Sequence, residues 1–255
     1  MIKVIVNGYH GKMGSIICSL LNEDSRFEIV AGVDPFSPNY SEPFPSFEKI
    51  EDCDIFSDVI IDFSTAKAVG DLARYAVDKK TPVVICTTGL SKTDIENIKI
   101  ASSTIPVFKS ANMSLGINLI SSILKQISNV LYDANFDIEI VEKHHNQKLD
   151  APSGTAYLLA ESIKSSVGDI GYAFDRSAKR GKRPKGEIGF HAIRGGTIVG
   201  EHNIIFAGTD EVIEIKHTAY SRALLARGAV KAAGFIYDKP PGLYDMQDLL
   251  KGLLG

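Results

Sequence analysis

The residues best suited to chemistry in this 255-residue chain lie in one short stretch, Glu139 to Ala156. His144, His145 and Lys148 emerge from the end of an alternating strand, and Pro152-Ser153-Gly154-Thr155 opens a helix. A helix start presents unpaired backbone N–H groups, and the helix dipole favours negative charge there. Ser153, Gly154 and Thr155, with the Thr155 hydroxyl, are therefore expected to cradle a carboxylate. Lys148 adds a point charge or a proton donor, and an imidazole adds an acid or base near neutral pH. Side chains alternate faces along a strand, so only one of His144 and His145 faces a common site unless the strand ends there. Together these residues describe a pocket for a small anionic substrate with an acid beside it. The bland reading, strand-end histidines and a solvated lysine, suits a lone His better than this cluster. Metal ligation is the weaker alternative, since the spacing is not HExxH and adjacent histidines rarely chelate one ion.

A second set of residues is suited to a dinucleotide. Gly8-Tyr9-His10-Gly11-Lys12-Met13-Gly14 sits between the first apolar run and the first helix. Glycine serves three needs there: a tight turn, close backbone approach to a pyrophosphate, and close helix–strand packing. The spacing is GxxGxxG rather than GxGxxG, and a glycine-rich turn alone is weak evidence. Asp34 strengthens it by following the second apolar run about 20 residues beyond the loop, where an acid holds the adenosine ribose hydroxyls. Thr87-Thr88-Gly89 and Ala111-Asn112-Met113 follow later strands, and ligands of open parallel sheets bind outside the carboxyl ends of the strands. Both triplets are expected beside a nicotinamide. Asp34 favours free ribose hydroxyls and Pro35 brings no positive charge, whereas His10 and Lys12 can approach a 2′-phosphate. Use of both NADH and NADPH is expected, with NADH at least as good.

These residues need elements to hold them. Apolar runs at Ile2–Asn7, Phe27–Val33, Val59–Phe63, Pro82–Thr87 and Pro106–Phe108 alternate with helical stretches. Met13, Ile16, Ile17, Leu20 and Leu21 mark one apolar helix face, and Ser91 is placed to cap another helix. This is the pattern of a parallel sheet with right-handed crossovers. Asp34 to Ser57 carries four prolines and reads as loop. After Ser114 a long helix runs to about Tyr132, Phe136 to Ile140 alternates as a strand, and a helix spans Pro152 to Ser165. Glu187–Arg194, Thr197–Phe206 and Glu211–His217, joined by short linkers, suggest an antiparallel meander. A final helix spans Ser221 to Ile236. The expected fold is α/β: a Rossmann-like parallel-sheet dinucleotide-binding domain, residues 1–114 and 223–255, plus an α+β domain with an open, mostly antiparallel sheet, residues 115–222. The second domain is expected to bind substrate and to self-associate.

The formal net charge is −3, which points neither to nucleic acid nor to an acidic membrane surface. Arg176 to Lys185 holds a basic run without aromatic interleaving, so a solvated loop is the expected reading. Cys18, Cys53 and Cys86 form no CxxC pair, which favours a reducing compartment over a disulfide scaffold or thiolate zinc. No signal sequence or membrane-spanning run is expected, and a cytoplasmic protein is the natural reading.

The motif running from Glu139 through Glu142, His144-His145, Lys148 and Asp150 to Pro152-Ser153-Gly154-Thr155-Ala156 resembles the signature of the 4-hydroxy-tetrahydrodipicolinate reductase family. The glycine loop, Val59–Ser64, Thr87–Gly89, Asn112–Gly116, Arg194–Gly196, Val199–His202 and Gly242–Met246 resemble that family too, so the likeness covers nearly the whole chain. It implies a reductase of a small cyclic dicarboxylate, using NADH or NADPH, in diaminopimelate and lysine biosynthesis, assembled as a homotetramer. It implies His144 as acid/base residue, Lys148 as proton donor, and His145, Gly154 and Thr155 as carboxylate ligands. It also implies Gly8, Gly11, Lys12, Met13 and Asp34 on the dinucleotide, Thr88, Gly89, Ala111 and Met113 by the nicotinamide, and Arg222 near the cofactor. Two departures are the short segment after Asp34 and Pro35, where an arginine is often available. A different Rossmann-type reductase and a silent dinucleotide sensor are competing readings, and the histidine–lysine motif argues against both.

Overall fold

Ile2–Asn7 (β1), Phe27–Val33 (β2), Ser46–Phe47 (β3), Val59–Asp62 (β4), Val83–Ile85 (β5), Pro106–Lys109 (β6) and Gly242–Tyr244 (β12) form one sheet in the computed structural model, which describes residues 1–36, 43–174, 176–177 and 180–254. All neighbours are parallel, in the order β12-β6-β5-β4-β1-β2-β3. Val4, Ile5, Val6, Ile60, Ile61 and Val84 are fully buried, as central strands covered on both faces must be. The chain direction across the sheet reverses between β1 and β4, which opens a crevice at their carboxyl ends.

Lys12–Glu23 (α1), Val69–Lys79 (α2), Lys92–Ser102 (α3), Ala223–Ile236 (α6) and Met246–Leu254 (α7) belong to the same unit, which comprises Met1–Ser114 and Ala223–Gly255. Ser91 caps α3 in a reciprocal capping box with Asp94. α6 packs on α1, β4, β5 and β6 through small residues, Ala226, Gly228, Ala229, Ala232 and Ala233, all buried. A side chain at Gly228 would run into the Met113 carbonyl. The expected loop from Asp34 to Ser57 contains β3 and a 3-10 turn at Ile50–Asp52, and its residues 37–42, Pro38 among them, lie outside the described residues.

The second unit is Leu115–Arg222. Leu115–Asp133 (α4) and Gly154–Val167 (α5) cover a sheet of Asp137–His144 (β7), Gly171–Ala173 (β8), Glu187–Arg194 (β9), Gly200–Ala207 (β10) and Val212–Ala219 (β11). Its order is β11-β10-β7-β9-β8. β11, β10 and β7 run antiparallel, but of the expected β9-β10-β11 meander only the β10–β11 pairing forms. β7 inserts between β10 and β9, and β9 runs parallel to it. The reason is burial: Ile138, Ile140, Ile188, Phe190, Ile204 and Phe206 meet α4 and α5 in one core only when β7 is central.

The basic run is not simply solvated. Arg183 donates to Asp137 (2.6 Å), Glu139 (3.0 Å) and the Ile138 and Glu187 carbonyls, and Arg176 pairs with Glu187. These two arginines tie the incoming segment to β7 and β9, while Lys179 lies outside the described residues. Among the described residues no helix is long and apolar enough to cross a membrane.

Candidate active site

The glycine loop turns as its sequence requires. Gly8 has φ +81°, and a side chain there would sit 2.7 Å from the Phe63 carbonyl oxygen. Gly14, on the first turn of α1, faces the Gly8 carbonyl so closely that no β-carbon fits. Gly11 is the N-cap of α1 and supplies no side-chain cap, so the helix start keeps N–H groups for an anion. Lys12 is exposed on that first turn, Met13 is half-buried, and the His10 ring lies tilted against Tyr9 with centroids 4.2 Å apart. Gly8, Gly11 and Asp34 line a cavity of about 500 Å³, with Glu48, Lys49 and Glu51 also on its wall. Asp34 is nearly buried, and one of its oxygens accepts the Phe36 N–H at 3.0 Å. A glycine-lined helix start beside a half-satisfied acid fits a pyrophosphate and its ribose.

Below this loop, Asp62 is fully buried at the end of β4. It accepts bonds from the Asn7 amide (2.8 Å), the Ser64 N–H and hydroxyl, and the Thr87 hydroxyl (2.7 Å). Burial pushes its carboxyl up, against the pull of those donors. Asp62 thus joins the carboxyl ends of β1, β4 and β5 beneath the crevice. Thr87, expected beside the nicotinamide, spends its hydroxyl on Asp62, which leaves Thr88 and Gly89 as the exposed members of that triplet. Ala111 is exposed, the Asn112 side chain accepts the Ser114 N–H, and Met113 is a core side chain. Arg222 is exposed at the end of the second unit.

In the second unit the buried face of β7 carries Ile138, Ile140, Glu142 and His144 in succession. His144 Nδ1 lies 2.6 Å from Glu142 Oε2, and Arg194, opposite His144 on β9, grips both Glu142 oxygens at 2.8 and 2.6 Å. Burial opposes charge on Glu142, but Arg194 and His144 outweigh it and hold the carboxyl below its ordinary range. Burial likewise lowers the His144 pKa, while Glu142 pulls it back up. His202 of β10 packs edge-on to His144 at 5.2 Å and is pushed down to about 4 by burial and by His144.

Lys148 sits on the turn after β7, its N–H donating to the His145 carbonyl and its ammonium 2.8 Å from Asp150. Arg194 also donates to the Asp150 carbonyl at 2.7 Å. α5 starts at Gly154, two residues later than expected, with Ser153 as its N-cap. That corrects one donor of the cradle. The Ser153 N–H serves Glu142, and its hydroxyl serves His202 and the Ala156 N–H. Ser153 is therefore a structural cap, and the other members of the expected cradle are Gly154, whose N–H serves the Asp150 carboxylate, and Thr155. A side chain at Gly154 would meet nothing within 4 Å. His145 is half-buried.

Sequence reasoning named His144 and Lys148 but gave no role to Glu142, Arg194 or His202. Period two was the available signal: Glu142 shares a strand face with Ile140 and His144. Its partners are far along the chain and become neighbours only through the β7–β9 and β7–β10 pairings.

The reversal-point glycine loop with its acid, and a separate unit carrying an oriented imidazole, an amine and a capped helix start, define a Rossmann-like dinucleotide-binding oxidoreductase. The sequence matches the family described as dihydrodipicolinate reductase, N-terminus, over residues 2–113 and its C-terminus over residues 116–250. The chain belongs to the dihydrodipicolinate reductase family. It is 52% identical over 252 residues to the 4-hydroxy-tetrahydrodipicolinate reductase of Clostridium novyi (strain NT), covering 98% of this chain and 99% of that one. It is 51% identical to the enzyme of that name from Clostridium tetani (strain Massachusetts / E88), covering 98% and 97%. Among solved structures, the dipicolinate-bound dihydrodipicolinate reductase from Paenisporosarcina sp. TG-14 superposes with a TM-score of 0.81 at 26% identity, covering 96% and 97%.

Proposed function

We propose that this chain reduces 4-hydroxy-tetrahydrodipicolinate to tetrahydrodipicolinate with loss of water, using NADH or NADPH, on the route to diaminopimelate and lysine. The observation that carries this reading is the grouping of His144, Lys148 and the Ser153-capped start of α5 within one unit of a chain in this family. The nicotinamide, when bound, supplies a hydride. Gly8, Gly11, Lys12, Met13 and Asp34 hold the dinucleotide, and Thr88, Gly89, Ala111, Asn112 and the Met113 backbone lie toward the nicotinamide, with Arg222 near the cofactor. The Gly154 and Thr155 N–H groups and His145 hold substrate carboxylates and position the ring. That binding energy, remote from the reacting bond, serves the transition state. Lys148 delivers a proton from Nζ to the carbon left electron-rich by reduction, and His144 exchanges protons at Nε2, the nitrogen Glu142 leaves available.

Cofactor choice supplies the direct test. The adenosine cavity carries Asp34, Glu48 and Glu51 on its wall, which disfavour a 2′-phosphate, against Lys49 there and Lys12 on the loop. Following loss of reduced-cofactor absorbance with freshly generated substrate, NADH gives a kcat/KM at least equal to that of NADPH. The gap is modest, since an exposed charge contact contributes about 0.2–1 kcal/mol. Lys12→Ala lowers the NADPH value more than the NADH value, and so does added salt. A strong preference for NADPH that ignores salt defeats this assignment, and no turnover with either cofactor defeats the proposed reaction.

Pyridine-2,6-dicarboxylate presents two carboxylates without a reducible centre and is the ligand named in the Paenisporosarcina structure. It competes with substrate here, and Thr155→Val weakens that competition. Undiminished competition in Thr155→Val removes the Thr155 end of α5 from the substrate site. The cytoplasm supplies the cofactors and suits three free cysteines. No residue of the edge strand β11 is buried, and this supports a homotetramer assembled through that sheet.

A further inference from the structure

We propose that Glu142 is a positioning residue for both acid–base groups: its carboxylate fixes His144 as the Nδ1–H tautomer, and through Arg194 and Ser153 it locks the Lys148 turn and the start of α5 into one frame. This rests on the acid–base role given above to His144. An ionised carboxylate only accepts hydrogen bonds, so the proton in the 2.6 Å contact belongs to His144 Nδ1 and leaves Nε2 to exchange protons. The same carboxylate accepts the Ser153 N–H at 3.1 Å, one residue before the carboxylate cradle. Arg194 spans from Glu142 to the Asp150 carbonyl, and Asp150 carries Lys148. One fully buried group therefore reaches the imidazole, the amine and the anion site.

Stability alone does not account for it. Glu142 follows Ile138 and Ile140 on the buried face of β7, and a buried ion pair is commonly no more stabilising than apolar side chains of similar volume. The charges facing His144 come from four places. Glu142 favours the imidazolium, Arg194 of β9 and Lys148 of the following turn oppose it, and His202 of β10 opposes it when protonated. Removing the Glu142 charge therefore shifts His144 toward the neutral form.

The test begins with the unaltered full-length chain. Nitrogen-15 NMR of its histidine rings shows His144 as the Nδ1–H tautomer, and an Nε2–H tautomer overturns the proposal. Glu142→Gln lowers kcat/KM by about 10²-fold, within the range of acid–base contributions. It moves the limb of the pH–kcat/KM profile set by His144 to lower pH and switches the tautomer, while cofactor affinity stays as in the wild type. Glu142→Asp, which keeps the charge, recovers part of the rate. A Glu142→Gln variant with wild-type kcat/KM and pH profile overturns the proposal even if it folds less well. His144→Gln separates the two layers. If it turns over normally, the acid–base reading of His144 falls and takes this inference with it. If His144→Gln is impaired and Glu142→Gln is not, only the positioning role falls.

Discussion

Replacing Lys148 with alanine lowers turnover by about 10²–10⁴-fold, the span of a positioned proton donor, and leaves cofactor affinity within about twofold of wild type. Lys148 is held on the turn between β7 and α5, its backbone bonded to His145 and its ammonium to Asp150. Asp150 is mostly exposed, so the pair is easily exchanged with solvent and with an incoming carboxylate. Lysine is also a proton source that arginine is not, because guanidinium does not give up its proton near neutral pH. Lys148→Arg, which keeps the charge, therefore stays close to the alanine variant in kcat. Steady-state kinetics with saturating substrate, together with a fluorescence titration of reduced cofactor, measure both quantities. Normal turnover in the alanine variant removes Lys148 from the chemistry. Recovery of most of the rate by arginine makes it a charge and not a donor.

The second large effect is at Gly14. Its missing side chain faces the Gly8 carbonyl and the Tyr9 backbone, and neither can swing aside as a side-chain tip would. Gly14→Ala forces α1 away from β1, at about 1–3 kcal/mol for overpacking of this kind, and spoils the helix start that meets the phosphates. Affinity for NADH falls by about tenfold for every 1.4 kcal/mol that displacement removes from binding, and a loss of about 5- to 100-fold is expected. Gly11→Ala is milder, since its added carbon sits 3.2 Å from the same carbonyl and a small shift relieves it. Calorimetric titration with NADH and thermal unfolding of both variants test the ranking. Wild-type affinity in Gly14→Ala shows that the loop does not hold the dinucleotide.

Much of this was legible in the residues. Continuous apolar runs broken by helical spacing announce a buried parallel sheet, and the glycines with Asp34 locate its crevice. The histidine–lysine stretch was legible because unusual residue types stand close together in the chain. What sequence reading missed depends on pairing between distant segments. Glu142 looks like a surface acid until Arg194, 52 residues later, comes beside it. The insertion of β7 between β9 and β10 is equally hidden, because three strands of similar hydrophobicity can be ordered several ways and only the shared core with α4 and α5 selects one. Ser153 was credited with an open N–H for the converse reason: the helix start was visible, but the buried carboxylate that claims that donor was not.

The return of α6 to the first sheet bears on how the chain is made. Synthesis runs from the N-terminal side to the C-terminal side, and domains commonly fold as they leave the ribosome. The first 114 residues emerge with strands β4, β5 and β6 still lacking the helix that covers them, and that helix ends only at Ile236. Leu115–Arg222, by contrast, is contiguous and can close its own core first. The nascent chain therefore carries an uncovered apolar sheet face throughout translation of the intervening unit, and Ala226, Ala229, Ala232 and Ala233 seal it only once that unit has been made.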